Sequence, residues 1–400
     1  MATQTALTAE SVTQLGFVAL QNYLKNKPID QVAVQRPLLK ALMAKKKPWG
    51  GGKENIVEQI RKSYDNNFEW FGGVVGEANK SSPVTFNSRD TVRQAYYPWN
   101  SAHDGFQFSE DYLIGNGILI GDSQSPSNSS AAPLVQLTNV FNEAMEVLRL
   151  GFEEILDQSL HLNGTIGVGD GTSLAASAIN GLDFLIPLDS TTGTVGGIDR
   201  GAVAPADNSY WRSNFDFGRG LNVTAGGAVG YAGTALLTPM HTMWRACQKN
   251  GGSPDFLLAG TDFIKSYEAA ADAKETRYAV QPGAMSAPWN LDPSLEIKDS
   301  GTFTGLYFQG VPIIWDPTFD VLDTIAGAGD SNGTITGWTK RCYMLNMKHL
   351  SLRPIEGNDM IARKPPREHT SYNYYWGMTW RGGLTANRMN CHGVITATGG

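Results

Sequence analysis

The chain is poor in the residues that would staple or ligate it. Its three cysteines, Cys247, Cys342 and Cys391, stand too far apart for a disulfide framework or a zinc site, and so few suit a reducing compartment. Six histidines (103, 161, 241, 349, 369 and 392) show no paired metal spacing. No Gly-x-Ser-x-Gly elbow and no Walker-type loop occurs. The run Gly164–Gly171 follows a helical pattern instead of joining a strand to a helix, so it reads as a connector, not a phosphate cradle. Asp170, Asp183, Asp189 and Asp199 match no calcium loop and read as turn residues. Long apolar runs are missing too: Ala225–Leu237 is Gly-rich and too short to cross a bilayer. No basic residue precedes Lys25 and Leu15–Leu20 is very short, so no secretion signal is expected. Together these absences argue against enzyme, metalloprotein and membrane classes, and no cofactor, metal or catalytic residue is expected.

Charge is scarce at 18%, while glycine occupies 45 positions, a balance that favours mixed α and β structure with many turns. The charge is also uneven. Residues 1–62 hold ten Lys/Arg against four Asp/Glu, a net of +6, which leaves −12 for the remainder. This basic end, with Lys45, Lys46 and Lys47 in a row, reads either as a solvated face or as an arm lying on an acidic neighbour. No basic, aromatic-rich domain follows it, which disfavours general nucleic-acid binding.

What the chain has in abundance is one helical pattern. From Pro133 to Gly164, apolar residues recur at Leu134, Leu137, Phe141, Ala144, Leu148, Phe152, Ile155 and Leu162, while Asn142, Glu143, Arg149, Glu153, Glu154 and Asp157 take the other face. Pro133 suits a first turn, Ser129 and Ser130 offer caps, and Asn163-Gly164 supplies a stop. Such a rod is about 43 Å long at about 1.5 Å per residue. No second helix of that length is foreseen, so its expected partner is a sheet. Gly151 marks either a close approach or a bend.

Around the rod the chain divides into further stretches. Residues 1–52 carry an amphipathic segment (Ser11–Lys25), an extended or short helical segment (Ile29–Lys47) and the hinge Gly50–Gly52. Residues 53–110 read as a long hairpin, out along Asn55–Tyr64 and back along Thr91–Trp99 and Gly105–Ser109, with too little core to stand alone. After the rod come short strands at Asp183–Leu188, Asp255–Gly260, Gly310–Asp316 and Cys342–Met347, with helices opening at Thr238-Pro239 and Thr261. The aromatic cluster Tyr372–Trp380 reads as core or subunit interface.

This order of parts resembles the major capsid proteins of tailed bacteriophages with the Hong Kong 97-like fold, an α+β fold. Local stretches similar to one phage subfamily strengthen the resemblance: Arg36-Pro37-Leu38-Leu39 with Trp49–Gly52, Leu160–Gly164, Gly196–Arg200 before Tyr210-Trp211-Arg212, and Gly310–Pro317. The resemblance implies an N-terminal arm (1–52), an E-loop hairpin (53–110), a peripheral domain with a spine helix (111–174, helix 133–164), an inserted axial domain (175–362) and a return to the peripheral domain (363–400). It implies hexamers and pentamers forming an icosahedral shell around double-stranded DNA without sequence-specific binding. Scaffolding, portal and decoration proteins would be separate partners, and assembly would occur in the host cytoplasm. Arm and hairpin would reach neighbouring copies, with Trp49, Phe68, Trp70, Phe71, Trp99 and Lys45–Lys47 as expected interface residues. Some members of the fold crosslink a lysine to an asparagine, but Lys62, Lys80, Asn373, Asn387, Asn390 and Glu368 do not match that triad and crosslinking is not expected. The alternatives are an encapsulin-type shell or, from another class, a Gly-rich α/β hydrolase or carbohydrate-binding protein.

Overall fold

The computed structural model describes residues 34–64, 68, 86–109, 111, 131–164, 178–202, 208–224, 230–273, 303–324, 337–364 and 373–398. The expected segment Ser11–Lys25, the caps Ser129 and Ser130, and the connector 165–171 lie outside them.

The rod forms as a single helix, α2 (Ala131–His161), following a short α1 (Pro37–Ala44). It ends where expected, with Gly164 at a φ of +79°. The buried stripe is displaced from the one the sequence suggests: Leu148, Phe152, Leu156 and Leu160 form one i, i+4 ridge and are buried, and toward the helix end Gln158, His161 and Leu162 are buried beside it. Ile155, expected inside, is exposed, and Asp157, expected outside, is buried. The partner along this ridge decides the matter, because Asp157 meets hydrogen-bond donors there that no helical pattern reveals. The helix runs unbroken through Gly151, and nothing lies within 4 Å of where a side chain on that residue would begin.

The first sheet has six strands in the order β6 (Asn214–Asp216), β14 (Gly393–Thr396), β10 (Arg341–Leu345), β7 (Phe256–Ala259), β9 (Val311–Trp315), β8 (Phe303–Phe308). The β6–β14 and β7–β9 pairs are parallel and the others antiparallel. Its inner strands are apolar runs because both faces are covered. Leu257, Ala259, Ile313, Cys342 and Met344 pack with Met240, Met243, Trp244 and Cys247 of α4 (Leu237–Lys249) and with α5 (Thr261–Ala273). Phe256, Leu258, Ile314, Tyr343 and Leu345 point the other way, into the cluster that holds the α2 ridge. The expected strands at 255–260, 310–316 and 342–347 are therefore present. The one expected at Asp183–Leu188 is instead a helical turn, α3 (Leu182–Leu185), in which Asp183 is buried against the Arg341 guanidinium at 3.0 Å.

The second sheet is built on β13 (Asn373–Ala386). It pairs along one edge with β3 (Asn100–Ser109), and along the other with β11 (Leu350–Pro354) and β12 (Ile361–Arg363). Helix α2 lies against β3 and β13, the sheet partner expected for so long a rod: the Phe141 ring meets Phe108 edge-on at 5.5 Å and Trp376 at 5.4 Å. Sheet pairing crosses the boundary expected at 362/363. Strand β14 joins the first sheet, whereas β11 and β12 join β13. The return stretch 373–398 thus serves both sheets.

Candidate assembly surface

The hairpin forms between β1 (Asn55–Arg61) and β2 (Val92–Pro98), in register from Asn55 opposite Pro98 to Arg61 opposite Val92. Strand alternation gives it two different faces. One face carries Ile56, Ile60, Ala95 and Tyr97, all buried against the body. The Tyr97 hydroxyl donates to the Ala386 carbonyl at 2.7 Å, and burial pushes that phenol well above its usual range. Glu58 pairs with Arg353 and also accepts from Thr385 at 3.2 Å, so strands β11 and β13 hold the hairpin base.

Among the described residues the opposite face, with Val92, Gln94 and Tyr96, is exposed, and Tyr64, Phe68 and Phe86 lie beyond the paired strands. Of the eight large apolar side chains exposed among the described residues, Tyr64, Phe68, Phe86, Val92 and Tyr96 belong to this hairpin, with Phe86 91% and Tyr64 79% exposed. Lys62 pairs with the exposed Asp90 nearby in the hairpin, and the hydrogen bond from Lys62 lowers the Asp90 carboxyl. Exposed aromatics gathered on one excursion are the mark of an interaction surface. Two further exposed residues, Val147 and Ile155, lie on α2 with Gly151 between them, beside Glu143, Arg149 and Glu153.

The expected interface residues divide. Phe68 stays in the exposed set, and Trp70 and Phe71 lie outside the described residues. Trp49 and Trp99 are partly buried against their own chain's core. The Trp49 amide donates to Pro354 at 2.8 Å, and its carbonyl accepts from Glu356 at 2.8 Å. The lysines are engaged at home as well: Lys45 pairs with Asp255 at 3.6 Å, Lys46 pairs with Asp359, and the Lys47 amide donates to Leu352 at 2.9 Å. From residue 34 onward the arm thus pairs with Glu154, Asp255 and Asp359 of its own chain. The reason is burial that its sparse composition conceals, because Leu38, Leu39, Ala41 and Leu42 all enter the core. Tyr64, Phe86 and Tyr96 were not foreseen as interface residues. Tyr96 had a legible signal, an aromatic out of phase with buried Tyr97.

Two further constructions stabilise the body of the subunit. At the end of α2, the His161 ring bonds the Asp157 carbonyl through Nδ1 at 2.8 Å and the Asp316 carboxylate through Nε2 at 2.8 Å. Asp157 accepts from the Leu39 amide at 3.2 Å and the Thr318 hydroxyl at 2.7 Å, and Asp316 accepts from the Thr318 amide at 3.0 Å. Burial works against charge on His161, but Asp316 and Asp157 outweigh it and raise its pKa to about 9. Burial likewise pushes the Asp157 carboxyl up, and the His161 cation draws it back. Asp157, His161 and Asp316 form the one group among the described residues with the spacing of a metal site. Their oxygens and nitrogens are all engaged by protein partners, so the group fastens α1, α2 and α6 (Thr318–Thr324) together. The partner of His161, Asp316, lies 155 residues away and has no local signal in the sequence.

The second construction is the hairpin of β4 (Thr194–Val195) and β5 (Ile198–Asp199), closed by Gly196 and Gly197 at φ of +62° and +75°. The Trp211 indole donates to the Val195 carbonyl at 3.0 Å, Asn208 donates to the Asp199 carbonyl at 2.8 Å, and the Arg212 guanidinium donates to the Arg200 carbonyl at 2.8 Å. The two stretches singled out in the sequence, Gly196–Arg200 and Tyr210–Arg212, therefore form one unit. Asp199 and Asp189 bond the backbone of local turns, as expected.

No family model matches the chain, and no curated protein does. Among solved structures, the capsid asymmetric unit of Cyanophage A-1(L) superposes with a TM-score of 0.55 at 16% identity, covering 96% of this chain and 99% of that one. The capsid of Myoviridae phage XM1 (TM-score 0.47, 11% identity, 94% and 97% covered) and a structure from Mycobacterium phage Ogopogo (TM-score 0.46, 10% identity, 94% and 98% covered) are more distant. Two sheets joined by β13 and β14, with one long helix across the second, are thus the α+β fold of a phage capsid subunit.

Proposed function

We propose that this chain is a major capsid protein of the tailed-phage type, a structural and non-enzymatic subunit whose copies close into an icosahedral shell. The observation that carries the reading is the end-to-end likeness to the Cyanophage A-1(L) capsid, which leaves no large part of this fold for another task. The hairpin supports it independently, because a surface with Tyr64, Phe68, Phe86 and Tyr96 exposed is stable in water only at a cost that a second copy removes. The contact is heterologous, one copy's hairpin on another part of the next, and such contacts close into rings where the rotation from copy to copy closes. Hexamers and pentamers follow from closure on an icosahedral lattice. The outer side of α2 in one copy, with Glu143 and the Arg149–Glu153 pair, and the exposed hairpin strip of the next, with Arg61 and Arg89, are the surfaces this reading brings together. Double-stranded DNA is the enclosed cargo, and scaffolding, portal and decoration proteins are separate partners. The virion is the resulting location; among the described residues no helix is long and apolar enough to cross a membrane.

The test is electron microscopy and sedimentation of the full-length protein, alone and co-expressed with its neighbouring reading frames. Closed particles built of five- and six-fold rings are expected. A protein that stays monomeric under all these conditions would overturn the reading.

A further inference from the structure

The hairpin is held at one point by something other than the two strands beneath it. The Tyr96 amide, on the edge of β2 facing away from β1, donates to the Gly196 carbonyl at 2.9 Å. At the same place the backbones are nearly in contact. A Cβ built on Gly196 would stand 2.8 Å from the Ala95 Cβ and 3.5 Å from the Tyr97 ring. One on Gly197 would meet only the Tyr96 ring at 3.7 Å, an ordinary contact. Val195 and Ile198 behind the turn are buried, and Trp211, Asn208 and Arg212 bond their strands from the rear. The turn is thus fixed to the body on one side and presses on the hairpin with the other.

We propose that Gly196 is a positioning residue: its close contact with Ala95 and its bond to Tyr96 set the angle at which the hairpin leaves the subunit, and so whether its exposed face meets the next copy. The inference rests on the assembly reading for its consequence but not for its geometry. A stop must be rigid and close, and this one is both. Only glycine allows it twice over, because the position combines a left-handed backbone with no room for a side chain.

The two glycines of the turn separate these requirements. Gly196→Ala and Gly197→Ala carry the same left-handed penalty, but only the first adds an atom where Ala95 stands. Ala95→Gly removes the obstacle from the other side. The measurement is a spin-label distance between Val92→Cys on the hairpin and Lys249→Cys on α4, both exposed, in a chain whose own cysteines are all buried. Hydrogen exchange at the Tyr96 amide is read alongside. Gly197→Ala should keep the parent distance distribution. Gly196→Ala should shift it by several ångströms and speed Tyr96 exchange at least tenfold, and Gly196→Ala with Ala95→Gly should restore the distance. Should Gly196→Ala fail to fold, Ala95→Gly alone tests the same contact by loosening it, with a broadened distribution expected. Equal behaviour of the two glycine variants, or an unchanged distribution in Ala95→Gly, would overturn the proposal. Closed-shell yield, read on the same glycine and alanine variants without the label cysteines, should fall with the shifted distance. A shifted distance with full, normal shells would overturn the positioning role. Correct distances with no shells even from the parent chain would instead strike at the assembly reading alone.

Discussion

The six-stranded sheet and the β1–β2 hairpin use the same strand alternation to opposite ends. In the sheet, Phe256 and Leu258 enter one core while Leu257 and Ala259 enter the other, so every side chain of β7 is buried. In the hairpin, Ala95 and Tyr97 are buried while Val92 and Tyr96 between and beside them face outward. The first region completes itself. The second is completed on one face only, and its other face is apolar enough to await a partner. A subunit built this way can fold before it assembles, because its stability and its stickiness reside in different layers.

If that division is correct, substitutions should sort by region. The largest loss of subunit stability is expected from Phe256→Ala, a fully buried ring in the sheet: about 3–5 kcal/mol by chemical denaturation. His161→Ala should follow closely, at about 3 kcal/mol, because it strands two buried carboxylates, Asp157 and Asp316.

His161 also sharpens the comparison through pH. Its folded pKa, about 9, lies above its ordinary value of 6.5, so the folded state holds a proton that the unfolded state releases between these pH values. The stabilisation is fully present below about pH 6.5 and is lost as pH rises toward 9. His392 behaves oppositely. Burial holds it at about 3, so its contribution to stability falls as pH drops below about 6.5. Denaturation midpoints measured against pH should show a flattened alkaline limb in His161→Gln and a flattened acid limb in His392→Gln.

Smaller effects belong to the surface. Lys46→Ala breaks a half-exposed pair with Asp359 and should cost about 0–1 kcal/mol. The smallest is expected where the assembly effect is greatest: Phe86→Ser and Tyr96→Ser should change subunit stability by no more than about 0.5 kcal/mol, yet sharply reduce closed particles by sedimentation. A large stability loss in either would mean that the outer face is part of the subunit's own core.

Legibility in the sequence followed the range of the interaction. Helix α2 was readable because Phe141, Leu148 and Phe152 repeat within a few residues of each other, and β7, β9 and β10 were readable as apolar runs. Asp157 and Ile155 were misplaced because the ridge that packs is chosen by α1 and α6, far away in the chain. The turn at Leu182–Leu185 read as a strand because its short apolar run has no period, and the ion pair of Asp183 with Arg341 spans 158 residues. Composition does not reveal the contacts of Trp49, Lys45 and Lys46 with Pro354, Asp255 and Asp359 of their own chain, because those partners lie about 200 to 300 residues away. The hairpin strands were legible in their positions, but which face would be covered depended on β13 and on the Gly196 turn.

The most direct test of this division is a cryo-electron-microscopy map of the particles formed by the full-length chain. The expected map shows Tyr64, Phe86 and Tyr96 buried against an adjacent copy, with the six-stranded sheet unchanged within each subunit. A closed shell in which that face of the hairpin points into solvent would contradict the account.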